Sequence, residues 1–175
     1  MIDRVAVVGA GTMGHGIAQV TAMAGLATAL WDPDTSALEK GMAQVRANLD
    51  KGVERGKVAE DVRTRAIECL RPVASLQEAA SGADIVIEAI PERMELKQAL
   101  FREISPIVTD TTILGTNTSS LSVSEIAGAA SLPRRVVGLH FFNPVHLMRL
   151  LEIVRGRETD EATVEASVGF ARTLG

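Results

Sequence analysis

Short runs of apolar, largely β-branched residues alternate along the chain with longer stretches whose apolar positions recur at helical spacing. The runs are Ile2 to Val8, Ala27 to Trp31, a weaker one at Arg71 to Ala74, Asp84 to Ile90, Thr112 to Thr116, Arg135 to Phe141 and Leu150 to Val154. They are short and mostly apolar, as strands covered on both faces are. Between them, His15 to Ala24, Ser36 to Arg55, Val58 to Leu70, Leu76 to Ser81, Met94 to Val108, Val123 to Ala130 and Thr163 to Leu174 read as helices. The alternation predicts a doubly wound α/β fold, a mostly parallel, Rossmann-like sheet with helices on both sides.

Ser36 to Leu70 is too long for a simple crossover, and Gly52 and Gly56 divide it into two charged, amphipathic halves. A helical hairpin projecting from the sheet at about 36–70 is expected, with its charged face solvated. Residues 1–175 are read as one such domain. Strand-like sequence starts at the second residue, so nothing is expected before it. Phe170 to Gly175 stops where a helix cap would sit, so the chain is expected to be one domain of something longer.

Composition narrows the classes. The chain has 175 residues, 46% of them hydrophobic, enough for one good core. A net charge of −4 without basic blocks argues against nucleic acid as a partner. The lone cysteine, Cys69, excludes a disulfide framework, no cluster has zinc spacing and no metal is expected, so a cytoplasmic protein is the expectation. Val5 to Trp31 is long enough to span a bilayer, but five glycines, His15 and Gln19 interrupt it, so no membrane segment is expected.

Gly9, Gly11 and Gly14 form G-A-G-T-M-G between the first strand and the first helix. There, Gly9 allows a tight turn, Gly11 lets a pyrophosphate approach the backbone, and Gly14 lets the helix lie against the strand. Thr12 and Met13 fall inside the same loop and are counted with the cofactor-binding residues. Asp32 ends the second strand, eighteen positions beyond Gly14, where a carboxylate accepts from a ribose diol and repels a 2′-phosphate. NAD is therefore expected rather than NADP. The alternative is a set of glycines that merely pack a turn.

Two further strands end in polar groups, Asn117-Thr118-Ser119-Ser120 and His140-Phe141-Phe142-Asn143-Pro144. Strand carboxyl ends face the ligand crevice of such a sheet, so these groups should converge near a nicotinamide. His140 suits the proton transfer that accompanies hydride removal from an alcohol, with Glu152 fixing its tautomer. A half-buried structural histidine beside a surface carboxylate is the competing reading. His15 is expected to pack near the phosphate site, and His146 lacks the company for a metal pair.

Together, G-A-G-T-M-G-H-G-I-A-Q-V, I-E-A-I-P-E-R, G-T-N-T-S-S-L and G-L-H-F-F-N-P-V resemble the L-3-hydroxyacyl-CoA dehydrogenase family. The resemblance covers essentially the whole chain. It implies His140 as catalytic acid and base, Glu152 as its partner, Ser119 as donor to the substrate C3 oxygen, and Asn143 beside them. It also implies Asp32 at the adenosine ribose, with Ala89, Glu92, Lys97, Asn117, Ser119 and Asn143 around the ribose and nicotinamide. On this reading Lys97 pairs with Glu92 and offers donors to a ribose hydroxyl, and Lys51, Arg55 or Lys57 on the arm meet CoA phosphates. Arg93 stands where many relatives carry Asn, and His146 where some carry Pro.

Family members carry a second, all-helical domain that closes the cleft and makes the dimer contact, and this sequence resembles the cofactor domain alone. The expected reaction is oxidation of an L-3-hydroxyacyl-CoA to the 3-oxoacyl-CoA with NAD, as in fatty-acid β-oxidation or related four-carbon pathways. This chain alone is expected to bind NAD and turn over poorly. A dehydrogenase of non-CoA hydroxy acids and a non-catalytic NAD-binding module are the alternatives.

Overall fold

The computed structural model describes residues 2–175. Seven strands, β1 (Arg4–Val8), β2 (Ala27–Trp31), β3 (Leu70–Pro72), β4 (Ile85–Glu88), β5 (Ile113–Thr116), β6 (Val136–Phe141) and β7 (Leu151–Arg155), form one sheet. Their order is β3-β2-β1-β4-β5-β6-β7. The first six run parallel, and β7 pairs antiparallel with β6 at the edge. The strand order reverses between β1 and β4, the switch point at which such sheets open a crevice.

Side chains alternate across the pleat, so each central strand feeds two cores. Val5 and Val7 of β1 pack with Ile85, Ile87 and Leu139 under α1 (Thr12–Met23), α2 (Thr35–Glu54), α3 (Glu60–Cys69) and α7 (Glu161–Leu174). Ala6 and Val8 face the opposite way, joining Val86, Leu114 and Val136 under α4 (Leu76–Ala80), α5 (Met94–Ile104) and α6 (Val123–Ala127). Several helices open on a capping side chain: Asp34, Ser75, Ser122 and Asp160 accept from the N–H of Ser36, Glu78, Glu125 and Thr163.

Element types match the sequence reading, and the boundaries move for local reasons. α1 starts at Thr12, directly in the glycine loop, instead of at His15. α5 stops at Ile104 rather than Val108, because Pro106 has no N–H to continue it. The hairpin of α2 and α3 does not stand clear of the sheet. Leu38, Val45 and Leu49 on α2 and Ala66 on α3 form one apolar stripe buried with Ile17 and Ala22 of α1, and Asn48 Nδ2 donates to Gln19 Oε1 at 3.0 Å. Burying that stripe lays the arm along α1.

Asp84 anchors the start of β1, its Oδ2 accepting from the N–H of Asp3 and Arg4 at 2.9 and 2.8 Å. Partial burial pushes this carboxyl up, but the two N–H groups and the Arg4 charge outweigh it, leaving it below the ordinary aspartate value. A depressed folded pKa contributes stability that is present above the unfolded value and lost as pH falls through the folded one. Asp84→Asn should therefore cost about 1 kcal/mol near neutrality, with the difference from wild type vanishing in acid, as read by urea unfolding at several pH values.

Candidate active site

The register of the sheet aligns the ends of four strands. Val8 of β1 sits beside Glu88 of β4, Glu88 beside Thr116 of β5, and Thr116 beside Gly138 of β6. The segments that follow, Gly9 to Gly14, Ala89 to Glu92, Asn117 to Ser119 and His140 to Asn143, thus share one edge.

The glycine loop turns at Gly9, where φ is +99° and the N–H donates to the Trp31 carbonyl at 2.8 Å. A Cβ on Gly14 would lie 1.7 Å from the Gly9 carbonyl oxygen, whereas one on Gly11 would meet nothing within 4 Å. The first glycine and the third are thus demanded by the fold, and the middle one is not. The α1 N-terminus, at Thr12 and Met13, has no side-chain cap and no acidic residue in its first turn, leaving its N–H groups for an anion. Asp32 is clamped beside the loop: Oδ2 accepts from Ala10 N–H at 2.8 Å and Oδ1 from Asp34 N–H at 2.9 Å. An open space at Gly11, an uncapped helix end and a fixed carboxylate together fit a dinucleotide.

Gly11→Ala is accordingly expected to keep the wild-type melting temperature while weakening NADH binding at least about tenfold, the added methyl filling space that the fold leaves free. Gly14→Ala should unfold the loop and helix together. Thermal melts with and without NADH distinguish the two.

A cleft of about 380 Å³ lies on the other side of the loop, bordered by Met13, Ala89, Glu92, Asn117, Ser119, His140 and Asn143, with apolar walls from Ile90, Phe141 and Phe142. His140 is paired across the antiparallel edge with Glu152, which places both side chains on one face of the sheet. His140 Nδ1 lies 2.7 Å from Glu152 Oε2, and the imidazole packs against Phe142 in a tilted arrangement with ring centroids 4.3 Å apart. A carboxylate only accepts, so Nδ1 donates the shared proton, and in the neutral imidazole this tautomer leaves the lone pair on Nε2. Asn117 ties this strand to its neighbour, its Oδ1 accepting from Phe141 N–H at 3.0 Å.

Beneath the cleft lies a charged network that the sequence reading reaches only in part. Lys97, on α5, is fully buried, with Nζ 2.6 Å from Glu88 Oε1, 3.2 Å from Glu92 Oε2 and 3.4 Å from the Asn117 carbonyl. The pairing with Glu92 is present, but all three ammonium protons are engaged and the side chain exposes no surface. Lys97 therefore holds Glu92 in place, with its ammonium set among Glu88, Glu92 and the Asn117 carbonyl. Glu92 also accepts from the Thr118 hydroxyl and from Ser119 N–H. Burial pushes it up, yet Thr118, Lys97 and Ser119 outweigh this and hold it below the ordinary glutamate value.

Glu88 and Thr116 are absent from the sequence-derived site. Glu88 is 1% exposed and accepts from Lys97, from Thr116 Oγ1 at 2.6 Å and from Ile90 N–H at 2.9 Å, while burial pushes its carboxyl up. The available signal was a carboxylate closing an otherwise apolar strand. His15 Nδ1 lies 2.8 Å from the Gly11 carbonyl oxygen, beside the loop. His146, depressed by partial burial and by His15, stands apart from the His140 pair. No three His, Cys, Asp or Glu side chains among the described residues are grouped to hold a metal. A wider groove of about 690 Å³ opens beyond Phe141 between α1, α3 and α7, but it contains no candidate catalytic group.

Over residues 4–175 the chain matches the family described as 3-hydroxyacyl-CoA dehydrogenase, NAD binding domain. It is 40% identical over 175 residues to a 3-hydroxybutyryl-CoA dehydrogenase of Bradyrhizobium diazoefficiens, covering all of this chain and 59% of that protein. To a 3-hydroxyadipyl-CoA dehydrogenase of Escherichia coli it is 43% identical over 164 residues, covering 94% of this chain and 34% of the relative. The crystal structure of (S)-3-hydroxybutyryl-CoA dehydrogenase from Ralstonia eutropha superimposes with a TM-score of 0.96 at 38% identity, over 100% of this chain and 62% of that one.

Proposed function

The chain belongs to the 3-hydroxyacyl-CoA dehydrogenase family as its NAD-binding domain, and from that premise we propose that it serves oxidation of the C3 hydroxyl of an L-3-hydroxyacyl-CoA to the ketone. The observation that carries the reading is the His140–Glu152 pair, 2.7 Å apart, beside Ser119 and Asn143 at the cleft next to the glycine loop. Bound NAD would supply the hydride acceptor. Gly11 and the α1 N-terminus take the pyrophosphate and Asp32 the adenosine ribose, while Glu92, held by Lys97, lines the cleft near the second ribose. His140 Nε2 takes the hydroxyl proton, and Glu152 stabilises the resulting imidazolium. Ser119 donates to the C3 oxygen, where charge gathers when the reaction runs towards the alcohol.

Ser119 and Asn143 stand exposed at the cleft mouth. Exposed Met148 and Leu150 lie on the groove side of it, and this is the face where we place the helical companion domain implied by the resemblance. Dimerisation belongs to that companion. Lys51, Arg55 or Lys57 on the arm would meet the CoA phosphates. No helix among the described residues is long and apolar enough to cross a membrane, and the single Cys69 supports a cytoplasmic setting, in β-oxidation or a related pathway.

Two steps test the reading. NADH should quench the emission of Trp31, next to Asp32, with a much weaker response to NADPH. In a protein that includes the companion domain, NAD reduction should then proceed with L-3-hydroxybutyryl-CoA and far more slowly with free 3-hydroxybutyrate. Equal use of the free acid would instead favour a dehydrogenase of non-CoA hydroxy acids.

A further inference from the structure

We infer that Glu88 and Lys97, which lie behind the cleft wall without lining it, set its preference between oxidised and reduced cofactor. The inference rests on the NAD-binding reading and is independent of the acyl-CoA substrate. Among the described residues, Glu92 is the only carboxylate bordering the cleft. Behind it, Lys97 is shared between Glu92 and Glu88, and no other cation among the described residues pairs with either carboxylate. Every partner of Glu88 donates to it, the arrangement an ionised carboxylate requires. Two carboxylates around one ammonium leave one negative charge, in a network whose Glu88 and Lys97 are buried away from water and whose Glu92 reaches the cleft.

The oxidised nicotinamide ring carries a positive charge and the reduced ring carries none, while the adenosine, both riboses and the pyrophosphate are common to both. Their contacts cancel when the two affinities are compared. What remains is the interaction of the ring with fixed charge, and an unbalanced carboxylate favours the cationic, oxidised form. The His140–Glu152 pair adds to the same field from β6 and β7 and stays constant when the buried network is altered. The consequence is easier release of the reduced cofactor after each hydride transfer.

The test compares dissociation constants for NAD and NADH, followed by Trp31 emission on the chain as it stands. Glu88→Gln cancels the excess charge without altering a side chain that lines the cleft, so the ratio of the NAD constant to the NADH constant should rise about three- to tenfold. The double variant Glu88→Gln with Lys97→Met restores a single negative charge, on Glu92, and should return the ratio towards wild type. Its neutral pair also spares the core an unpaired ion. If Glu88→Gln does not fold, Glu92→Gln, which is half-exposed and cancels the same charge, should move the ratio the same way. An unchanged ratio in a folded single variant overturns the inference. So does a double variant displaced as far as Glu88→Gln, because a purely structural role makes the second substitution add to the first. Loss of acyl-CoA turnover with these ratios intact would count only against the proposed reaction.

Discussion

Glutamine in place of His140 is expected to lower kcat about 10³-fold while leaving NADH affinity within about twofold of wild type. The amide can keep a hydrogen bond to Glu152 but cannot take up a proton near neutral pH, so the variant isolates proton transfer from packing. Glu152→Gln should cost less, about 10²-fold, since the imidazole remains but loses the partner that fixes its tautomer and steadies its charge. Single-turnover hydride transfer to acetoacetyl-CoA, in protein carrying the companion domain, reads both effects. Near-wild-type turnover of His140→Gln would remove the base from the proposal. A fall in NADH affinity that matches the fall in kcat would make the residue a packing element.

The other large effect is on stability. Lys97→Met removes the one cation from between Glu88 and Glu92 and should destabilise the fold by about 3–5 kcal/mol, the usual result of stripping one partner from a buried ion pair. The sign of its pH dependence follows from Glu88. Left alone, that buried carboxyl has a folded pKa raised above the unfolded one, so the penalty is full above the folded value, lessens as pH falls through it, and is absent below the unfolded one. Urea unfolding at pH 7 and pH 5 should therefore show the deficit of Lys97→Met shrinking on acidification. A deficit that grows would mean that Glu88 finds another cation when Lys97 is gone.

Much of this was legible in the chain because the signals are local. The glycines and Asp32 sit at fixed offsets from a strand and a helix, and each offset has one physical reason. His140 stands out because a titratable ring at the end of an apolar run has few structural uses. Glu152 could be matched to it because the next strand follows closely. Glu88 was harder, and its link to Lys97 harder still, for the meaning is relational: nine residues apart on different elements, the two show no connection until the packing of α5 against β4 buries both. The arm shows the same limit. Its amphipathic halves were plain, but whether the apolar stripe faced water or α1 depended on the orientation of a neighbour that no local pattern encodes.

The reversed direction of β7 has a consequence for the order in which the molecule assembles. Neighbouring parallel strands must wait for a crossover to form and pack, whereas β6 and β7 meet once the nine residues from 142 to 150 close. His140 and Glu152 are thus brought together by a contact only twelve residues apart in the chain. The cofactor side needs β1, β2 and β4 in place, with Arg4 and Asp84 eighty residues apart. Local contacts close first where chain entropy governs the search, so the proton-handling pair can take shape ahead of the pocket it serves.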